Sequence, residues 1–230
     1  MDVPAPCYLT SPYEITRGRQ KWRFLVTLFV KKFRIMKREV KKHFQKVDPI
    51  LFRAAEQVGD LEDITPRKLS EYFSSLCGAI IEQQLGGGAA LAILGRFKDL
   101  FPGKNVQPNH LAAIQGKELR ATGMSWRKAG YIKDLAQKVA AKDVPLSRLA
   151  SLSDEEVIAE LTKIKGIGRW TAEMFLISSL GREDVFSFGD LGLKNAYAKL
   201  YGKRKMEPVV ARWSPFRTWA SRVLWRFHDA

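Results

Sequence analysis

The chain has 230 residues, which is enough for one large domain or two small ones with a substantial core. Hydrophobic residues make up 46% of it, which excludes a disordered chain, and two cysteines cannot form a disulfide framework. The formal net charge of +15 favours a polyanionic partner, either nucleic acid or an acidic membrane surface. The apolar run from Trp22 to Val30 is too short to cross a bilayer and lacks the order of a signal peptide.

A metal centre is not expected from the residues that usually build one. Cys7 and Cys77 lie 70 residues apart, and the three histidines are scattered at His43, His110 and His228. Two cysteines cannot supply the four thiolates of an iron–sulfur cluster or a structural zinc site. Their small number also indicates a reducing compartment.

The basic charge is concentrated in residues 1–46, which we interpret as an N-terminal extension that is partly helical. This segment carries twelve basic and three acidic residues, a net charge of +9, which leaves +6 for the rest of the chain. Apolar spacing predicts an amphipathic helix from about Arg19 to Gln45. Such a helix packs on the body with a solvated basic face, grips a DNA backbone, or lies on an anionic membrane.

Residues 47–230 form the main domain, and their apolar residues recur at helical spacing with no strand-like alternation. The pattern therefore predicts an all-α fold. The expected helices cover residues 49–58, 66–85, 89–101, two short stretches in 108–122, 126–141, 154–162, a helix from 169, 190–201, a helix from 206, and 215–227. A run of three glycines, Gly86–Gly88, predicts a flexible loop that allows close backbone approach.

A turn of four residues, Lys165-Gly166-Ile167-Gly168, joins two of these helices in a hairpin that spans residues 154–178. Two glycines allow left-handed backbone angles and close approach of a ligand. The turn leads into a helix N-terminus, whose N–H groups and dipole favour an anion. With Lys163, Lys165 and Arg169 nearby, the pattern is typical of a helix-hairpin-helix that grips a DNA phosphate, although many such turns merely join helices.

Asp190 follows Trp170 by 20 residues, after the apolar run Val185-Phe-Ser-Phe188 and at the start of another helical pattern. An aspartate in this place is most often a helix N-cap. The order of the segments, however, resembles the helix-hairpin-helix DNA glycosylase superfamily. The stretches Gly-Ile-Gly-Arg-Trp-Thr-Ala172 and Gly-Asp-Leu-Gly192 are similar to its alkylpurine branch, the DNA-3-methyladenine glycosylase II family.

Three further segments support this resemblance, which spans roughly residues 48–227. They are Ala79-Ile-Ile-Glu-Gln-Gln-Leu85, Met124-Ser-Trp-Arg-Lys-Ala129, and Trp213-x-Pro-x-Arg217 followed by Leu224-Trp225. The resemblance implies two helical subdomains with a cleft between them, and an enzyme that flips an alkylated purine out of DNA and hydrolyses its glycosidic bond. It implies that Asp190 is the catalytic carboxylate, and that Trp170 and Trp225 line the base pocket.

The same resemblance assigns the DNA contacts. The implied phosphate-binding residues are Lys165, Gly166, Gly168 and Arg169, and the loop near the gap left by the flipped nucleotide contains Leu85, Gly86 and Gly87. Gly86 departs from the family because it has no side chain to insert, and Met174 and Leu191 stand where relatives have pocket aromatics. Trp170 stands where relatives that cut the strand carry a Schiff-base lysine, so we expect a monofunctional glycosylase.

The expected partner is double-stranded DNA that contains alkylated bases, bound by a monomer without a membrane span. No cofactor or metal is expected, except a monovalent cation on the hairpin carbonyls, as in relatives. The alternatives are a non-catalytic DNA-binding helix-hairpin-helix protein, or a glycosylase for another damaged or mismatched base. The expected location is the cytoplasm, on the nucleoid, in a bacterium, or the nucleus in a eukaryote.

Overall fold

The computed structural model describes residues 36–229, and within this range all regular structure is helical. Cys7 and most of the predicted N-terminal extension therefore lie outside the described residues. The α-helices in residues 36–229 are α1 (Arg38–Val47), α2 (Pro49–Val58), α3 (Leu69–Glu82), α4 (Gly87–Asp99), α5 (Pro108–Ala113), α6 (Gly116–Ala121), α7 (Trp126–Ala140), α8 (Asp154–Thr162), α9 (Arg169–Ser178), α10 (Leu191–Tyr201), α11 (Met206–Ala211) and α12 (Arg217–Asp229). The prediction of an all-α fold is confirmed. None of these helices combines the length and hydrophobicity that crossing a membrane requires.

Two clusters of buried apolar side chains divide the helices into two subdomains. The first cluster is built by α3 to α9 and includes Leu76, Ile132 and Leu176. The second is built by α1, α2 and α10 to α12, so both ends of the described chain contribute to it. The chain crosses from the first cluster to the second between Val185 and Phe186, and Asp190 comes four residues later.

The single helix predicted from Arg19 to Gln45 is wrong at Met36 and Lys37, which are not helical. Met36 is 1% exposed and packs in the second cluster. Lys37 is the N-cap of the next helix, with non-helical φ and ψ of −47° and 135°. The described helix α1 starts at Arg38 and buries Val40 and Phe44 against the second cluster. It therefore runs across the boundary placed between residues 46 and 47.

The glycine run after α3 is more ordered than the sequence indicates. Helix α3 ends at Glu82 rather than at residue 85, and α4 already begins at Gly87. The backbone carbonyl of Gly86 accepts a hydrogen bond from the N–H of Ala90 at 3.0 Å, which places Gly87 in the first helical turn. The predicted loop Gly86–Gly88 is therefore corrected to an N-cap followed by helix.

Candidate active site at the hairpin and Asp190

The hairpin consists of α8, a tight turn and α9, with the bounds that the sequence predicts for its first helix. A capping box starts α8, in which Ser153 Oγ accepts from the Glu156 N–H and Glu156 Oε2 accepts from the Ser153 N–H. Gly168 is the N-cap of α9 and offers no side chain to its free N–H groups. This leaves the N-terminus of α9 available to an external acceptor.

The two hairpin glycines are needed for different reasons. Gly166 has a φ of +85°, and a Cβ there would lie 2.1 Å from Cδ2 of Tyr131, so both the backbone and the packing require glycine. Gly168 has a φ of −95°, so the expectation of a left-handed angle is wrong for this residue. A Cβ at Gly168 would meet nothing within 4 Å, which shows open space in front of the α9 N-terminus.

Polar contacts from α3 and α7 hold the turn in place. Asp134 Oδ2 accepts from the Lys165 N–H at 2.8 Å, and Lys138 Nζ donates to the Lys163 carbonyl at 2.6 Å. Gln83 Nε2 donates to the Gly166 carbonyl at 2.8 Å. Burial tends to raise the pKa of Asp134, but the hydrogen bonds from Lys138 and Lys165 outweigh it, so this pKa lies below its usual value.

The predicted phosphate-binding residues differ in whether they are open to a ligand or already paired within the protein. The Lys165 side chain is 76% exposed, and its nearest carboxylate oxygen, on Asp134, is 4.0 Å away. Within residues 36–229 the N–H of Gly168 has no acceptor. The Arg169 guanidinium instead forms ion pairs with Glu155, at 2.6 Å, and with Glu173, at 3.0 Å. Lys165 and the α9 N-terminus are therefore the parts of the hairpin turn that are open to a phosphate, while phosphate binding by Arg169 stays a prediction.

Asp190 is 1% exposed and is surrounded by hydrogen-bond donors. As the N-cap of α10, its Oδ1 accepts from the Leu193 N–H at 2.8 Å and from Trp225 Nε1 at 3.1 Å. Its Oδ2 accepts from Trp170 Nε1 at 2.8 Å. The structure thus brings together the three residues that the sequence assigns to catalysis and to the base pocket, and each indole is oriented by a different carboxylate oxygen.

The space next to this carboxylate depends on Gly192. A Cβ at Gly192 would lie 3.2 Å from Asp190 Oδ1 and 3.4 Å from Cδ1 of Trp225, so a larger residue would press on both. Large apolar side chains flank Asp190 in sequence and are exposed, with Phe188 at 40% and Leu191 at 58%. They add apolar surface to the rim of the site beside Asp190.

A cavity of about 570 Å³ lies beside Trp170, between the hairpin helices and the loop that precedes Asp190. Its lining includes Glu173, Phe186, Phe188 and Gly189. It also contains the ion pair of Arg217 with Asp184 at 2.8 Å. The indole of Trp170 therefore contacts both this cavity and Asp190.

The loop assigned to the lesion gap is pinned by α7. Lys128 Nζ donates to the carbonyls of Ile81 and Gln83, at the C-terminus of α3, and burial lowers the pKa of this lysine. Gln84 is exposed with a φ of 57° and accepts from Arg127 at 3.4 Å. Leu85 is half-buried against the first cluster, and a Cβ on Gly86 would meet nothing within 4 Å. Gln84 is thus an exposed side chain at this loop, whereas Leu85 is half-buried.

Some residues of the site were missed by sequence reasoning. The sequence assigns no role to Gln83, Asp134, Glu173 or Phe188. The hydrogen-bond partners of the first three include residues 83, 31 and 14 positions away in sequence. The only available signal was a charged residue, Glu173, in the otherwise apolar stretch of α9. Within residues 36–229 no group of three His, Cys, Asp or Glu side chains is placed to hold a metal ion.

Residues 77–210 match the HhH-GPD superfamily of base excision DNA repair proteins. The chain belongs to this superfamily. It is 36% identical over 192 residues to DNA-3-methyladenine glycosylase 1 of Schizosaccharomyces pombe, covering 80% of this chain and 84% of that protein. This relation confirms the resemblance to the alkylpurine branch that the motifs indicate.

Solved structures place the fold of this HhH-GPD protein in the same branch. A DNA-3-methyladenine glycosidase from Bacillus halodurans has a TM-score of 0.74 and 35% identity, covering 87% of this chain and 94% of that one. The 3-methyladenine DNA glycosylase of S. pombe in complex with abasic DNA has a TM-score of 0.71 and 34% identity, covering 81% of this chain and 95% of that one. The prediction of a helix-hairpin-helix glycosylase fold is confirmed.

Proposed function

We propose that this protein is a DNA glycosylase of base excision repair that flips out an alkylated purine and hydrolyses its glycosidic bond, leaving an abasic site. The observation that carries this proposal is the buried Asp190 carboxylate, held by the indoles of Trp170 and Trp225 beside the hairpin. The relatives named above are 3-methyladenine glycosylases, which supports the reaction and the substrate class. The substrates are bases of the 3-methyladenine and 7-methylguanine type.

The chemistry of such bases suits a site with a carboxylate and no acid. An alkylated purine carries positive charge, so it leaves as a neutral base with the electron pair of the glycosidic bond. The sugar is left as an oxocarbenium-like cation, which a fixed carboxylate stabilises electrostatically. Water then adds its oxygen to C1′ and loses a proton, and Asp190 is the group placed to orient that water.

Aromatic side chains recognise the cationic base. An indole face near a cation contributes about 0.5–2 kcal/mol, more when the contact excludes water. Trp170 and Trp225 cannot rotate freely, because each indole N–H is held by Asp190. Leu191, which is exposed, and Met174, which is buried, stand where relatives have further aromatics, which makes the pocket less aromatic and leaves the range of accepted alkylated purines open.

DNA binding requires only what the hairpin already presents. A backbone phosphate accepts from the N-terminus of α9 and pairs with Lys165. The proposal includes a monovalent cation on the hairpin carbonyls, shared with that phosphate, although the Lys163 carbonyl already accepts from the Lys138 ammonium at 2.6 Å. An asymmetric lesion needs no two-fold symmetry, so the protein acts as a monomer on the genome, in the cytoplasm of a bacterium or the nucleus of a eukaryote.

The test is release of free bases from methylated duplex DNA by the wild type and by Asp190→Asn. We expect 3-methyladenine or 7-methylguanine from the wild type and a rate at least about 100-fold lower from the variant, since one electrostatic group of this kind contributes about 3 kcal/mol. Both proteins should bind an abasic duplex. If both bind DNA and neither releases a methylated base, the chain is a non-catalytic binder or acts on another base.

Residue 170 is a tryptophan and not a lysine, which allows a second test of the proposal. A monofunctional enzyme forms no Schiff base, so borohydride should trap no covalent protein–DNA adduct and the abasic strand should stay intact. A trapped adduct together with strand cleavage would contradict this part of the proposal without affecting base release.

A further inference from the structure

Glu173 is a buried carboxylate that the reaction described above does not use. It is 6% exposed and lies on α9, three residues after Trp170. A buried charge is costly unless it is paired and hydrogen-bonded. Arg169 Nε donates to its Oε1 at 3.0 Å, and the hydroxyl of Ser187 donates to its Oε2.

Ser187 connects this carboxylate to the backbone of Asp190. The Ser187 side chain is fully buried, and its carbonyl accepts from the Asp190 N–H at 3.1 Å, which closes a turn of four residues. Phe188 and Gly189, the two residues inside the turn, are exposed. The hydrogen bond from Ser187 to Glu173 is therefore the last buried anchor of the loop before Asp190.

The other end of the same loop is held elsewhere. The Val185 N–H donates to Thr218 Oγ1 at 3.0 Å, which attaches this residue to α12 of the second subdomain. The loop thus runs from an anchor in one subdomain to an anchor on α9 in the other, and Asp190 lies just beyond the second anchor.

We propose that Glu173 is a positioning residue for catalysis, which fixes the backbone of Asp190 through Ser187 while Trp170 of the same helix fixes its side chain. This inference rests on the proposed function, because it assigns Glu173 to the reaction that Asp190 performs. Both attachments start from α9, so the carboxylate keeps its place relative to the hairpin and to the phosphate that the hairpin grips. A shift of about 1 Å at a catalytic group lowers rates by up to about 100-fold.

The test measures the single-turnover rate of base release with enzyme in excess and, separately, the Kd for a duplex with an abasic site. In Glu173→Ala we expect the rate to fall about tenfold and the Kd to stay within about twofold. Glu173→Gln keeps an oxygen that accepts from Ser187 and should restore the rate to within about threefold of wild type. Ser187→Ala, a small change, should lower the rate as much as Glu173→Ala, and the double variant no further, because both changes break one connection.

The matched control is Glu155→Gln, which removes the other carboxylate on Arg169 and leaves Ser187 untouched. Its rate should stay within about twofold of wild type. The proposal is overturned if Glu173→Ala keeps the wild-type rate, or if the rate losses of Glu173→Ala and Ser187→Ala multiply in the double variant. It is also overturned if the rate falls only in proportion to the folded fraction measured by circular dichroism. If the wild type releases no base, the proposed function fails and the positioning role of Glu173 fails with it. If the wild type releases base and Glu173→Ala releases it at the same rate, only the positioning role is overturned.

Discussion

The second subdomain contains two helices that are capped by buried aspartates in nearly the same way. Asp48, 2% exposed, caps α2 by accepting from the N–H groups of Ile50 and Leu51, both at 3.1 Å. Asp190, 1% exposed, caps α10 by accepting from the Leu193 N–H. Each also accepts from a tryptophan, Trp213 in the first case and Trp225 in the second.

The two sites differ in what completes the set of donors. At Asp48, Oδ2 accepts from Tyr201 at 3.0 Å and from Trp213, which is 0% exposed. The guanidinium of Arg212, which is 51% exposed, lies 3.7 Å from the same oxygen. Burial, followed by the charge of Asp48, raises the pKa of the Tyr201 phenol, so it stays a neutral donor. At Asp190 the remaining donor is Trp170, which is only partly buried. The two helix caps therefore differ in the exposure of their tryptophan donors, and by this difference we expect to separate a structural aspartate from the proposed catalytic one.

The strongest test of this distinction is Asp48→Ala. Removing the carboxylate leaves Tyr201 and Trp213 with buried donors and no acceptor, so we expect the free energy of unfolding to fall by about 3–4 kcal/mol. Urea unfolding measures it. The rate of base release per folded molecule should not change.

The matched variant is Asp190→Ala, for which the same measurement should give a loss of about 1–2 kcal/mol, because water can reach the partly exposed indoles. Equal losses of stability in the two alanine variants would remove the distinction between a sealed and an open aspartate.

The two hairpin glycines allow a second comparison, between alanine substitutions at Gly166 and at Gly168. Gly166→Ala forces a left-handed alanine against the Tyr131 ring and should cost about 2–3 kcal/mol, with weaker DNA binding. Gly168→Ala, in open space and at negative φ, should change stability by less than about 1 kcal/mol. Thermal unfolding of the two variants checks this, and a larger effect at Gly168 would contradict it.

The two tryptophans provide a pair of identical changes. Trp213→Phe removes a buried donor to Asp48 and should destabilise the protein by about 2 kcal/mol without slowing base release. Trp225→Phe removes a donor to Asp190 and should destabilise by about 1 kcal/mol while slowing release about tenfold. The comparison is contradicted if Trp213→Phe slows base release and Trp225→Phe does not.

The smallest effect is expected at Asp134, which supports the hairpin rather than either aspartate. Its lowered pKa means that its contribution to stability is present above the usual aspartate pKa of about 3.9 and is lost as the pH falls through its lower folded value. Asp134→Asn should therefore cost about 0.5 kcal/mol at pH 7 and nothing near pH 2, since the paired lysines are partly solvated. Urea unfolding at both pH values gives the difference, and a cost that persists at pH 2 would exclude this ion pair as its source.

Sequence patterns identified the helices and the hairpin because local spacing and capping determine both. They also placed Asp190, Trp170 and Trp225 in one site, through resemblance to a family rather than through any local rule. They could not show that Gly168 lacks a left-handed angle or that Gly87 is helical, since those depend on a few backbone hydrogen bonds. The roles of Gln83, Asp134 and Glu173 arise from partners 14 to 83 residues away, which no local pattern records.

The hydrogen bond from Gln83 to the Gly166 carbonyl joins the start of the loop assigned to the lesion gap to the hairpin turn. The two segments therefore keep a fixed spacing. Under the proposed function, the number of nucleotides between the phosphate bound at the hairpin and the extruded base is set by the protein and not by the DNA.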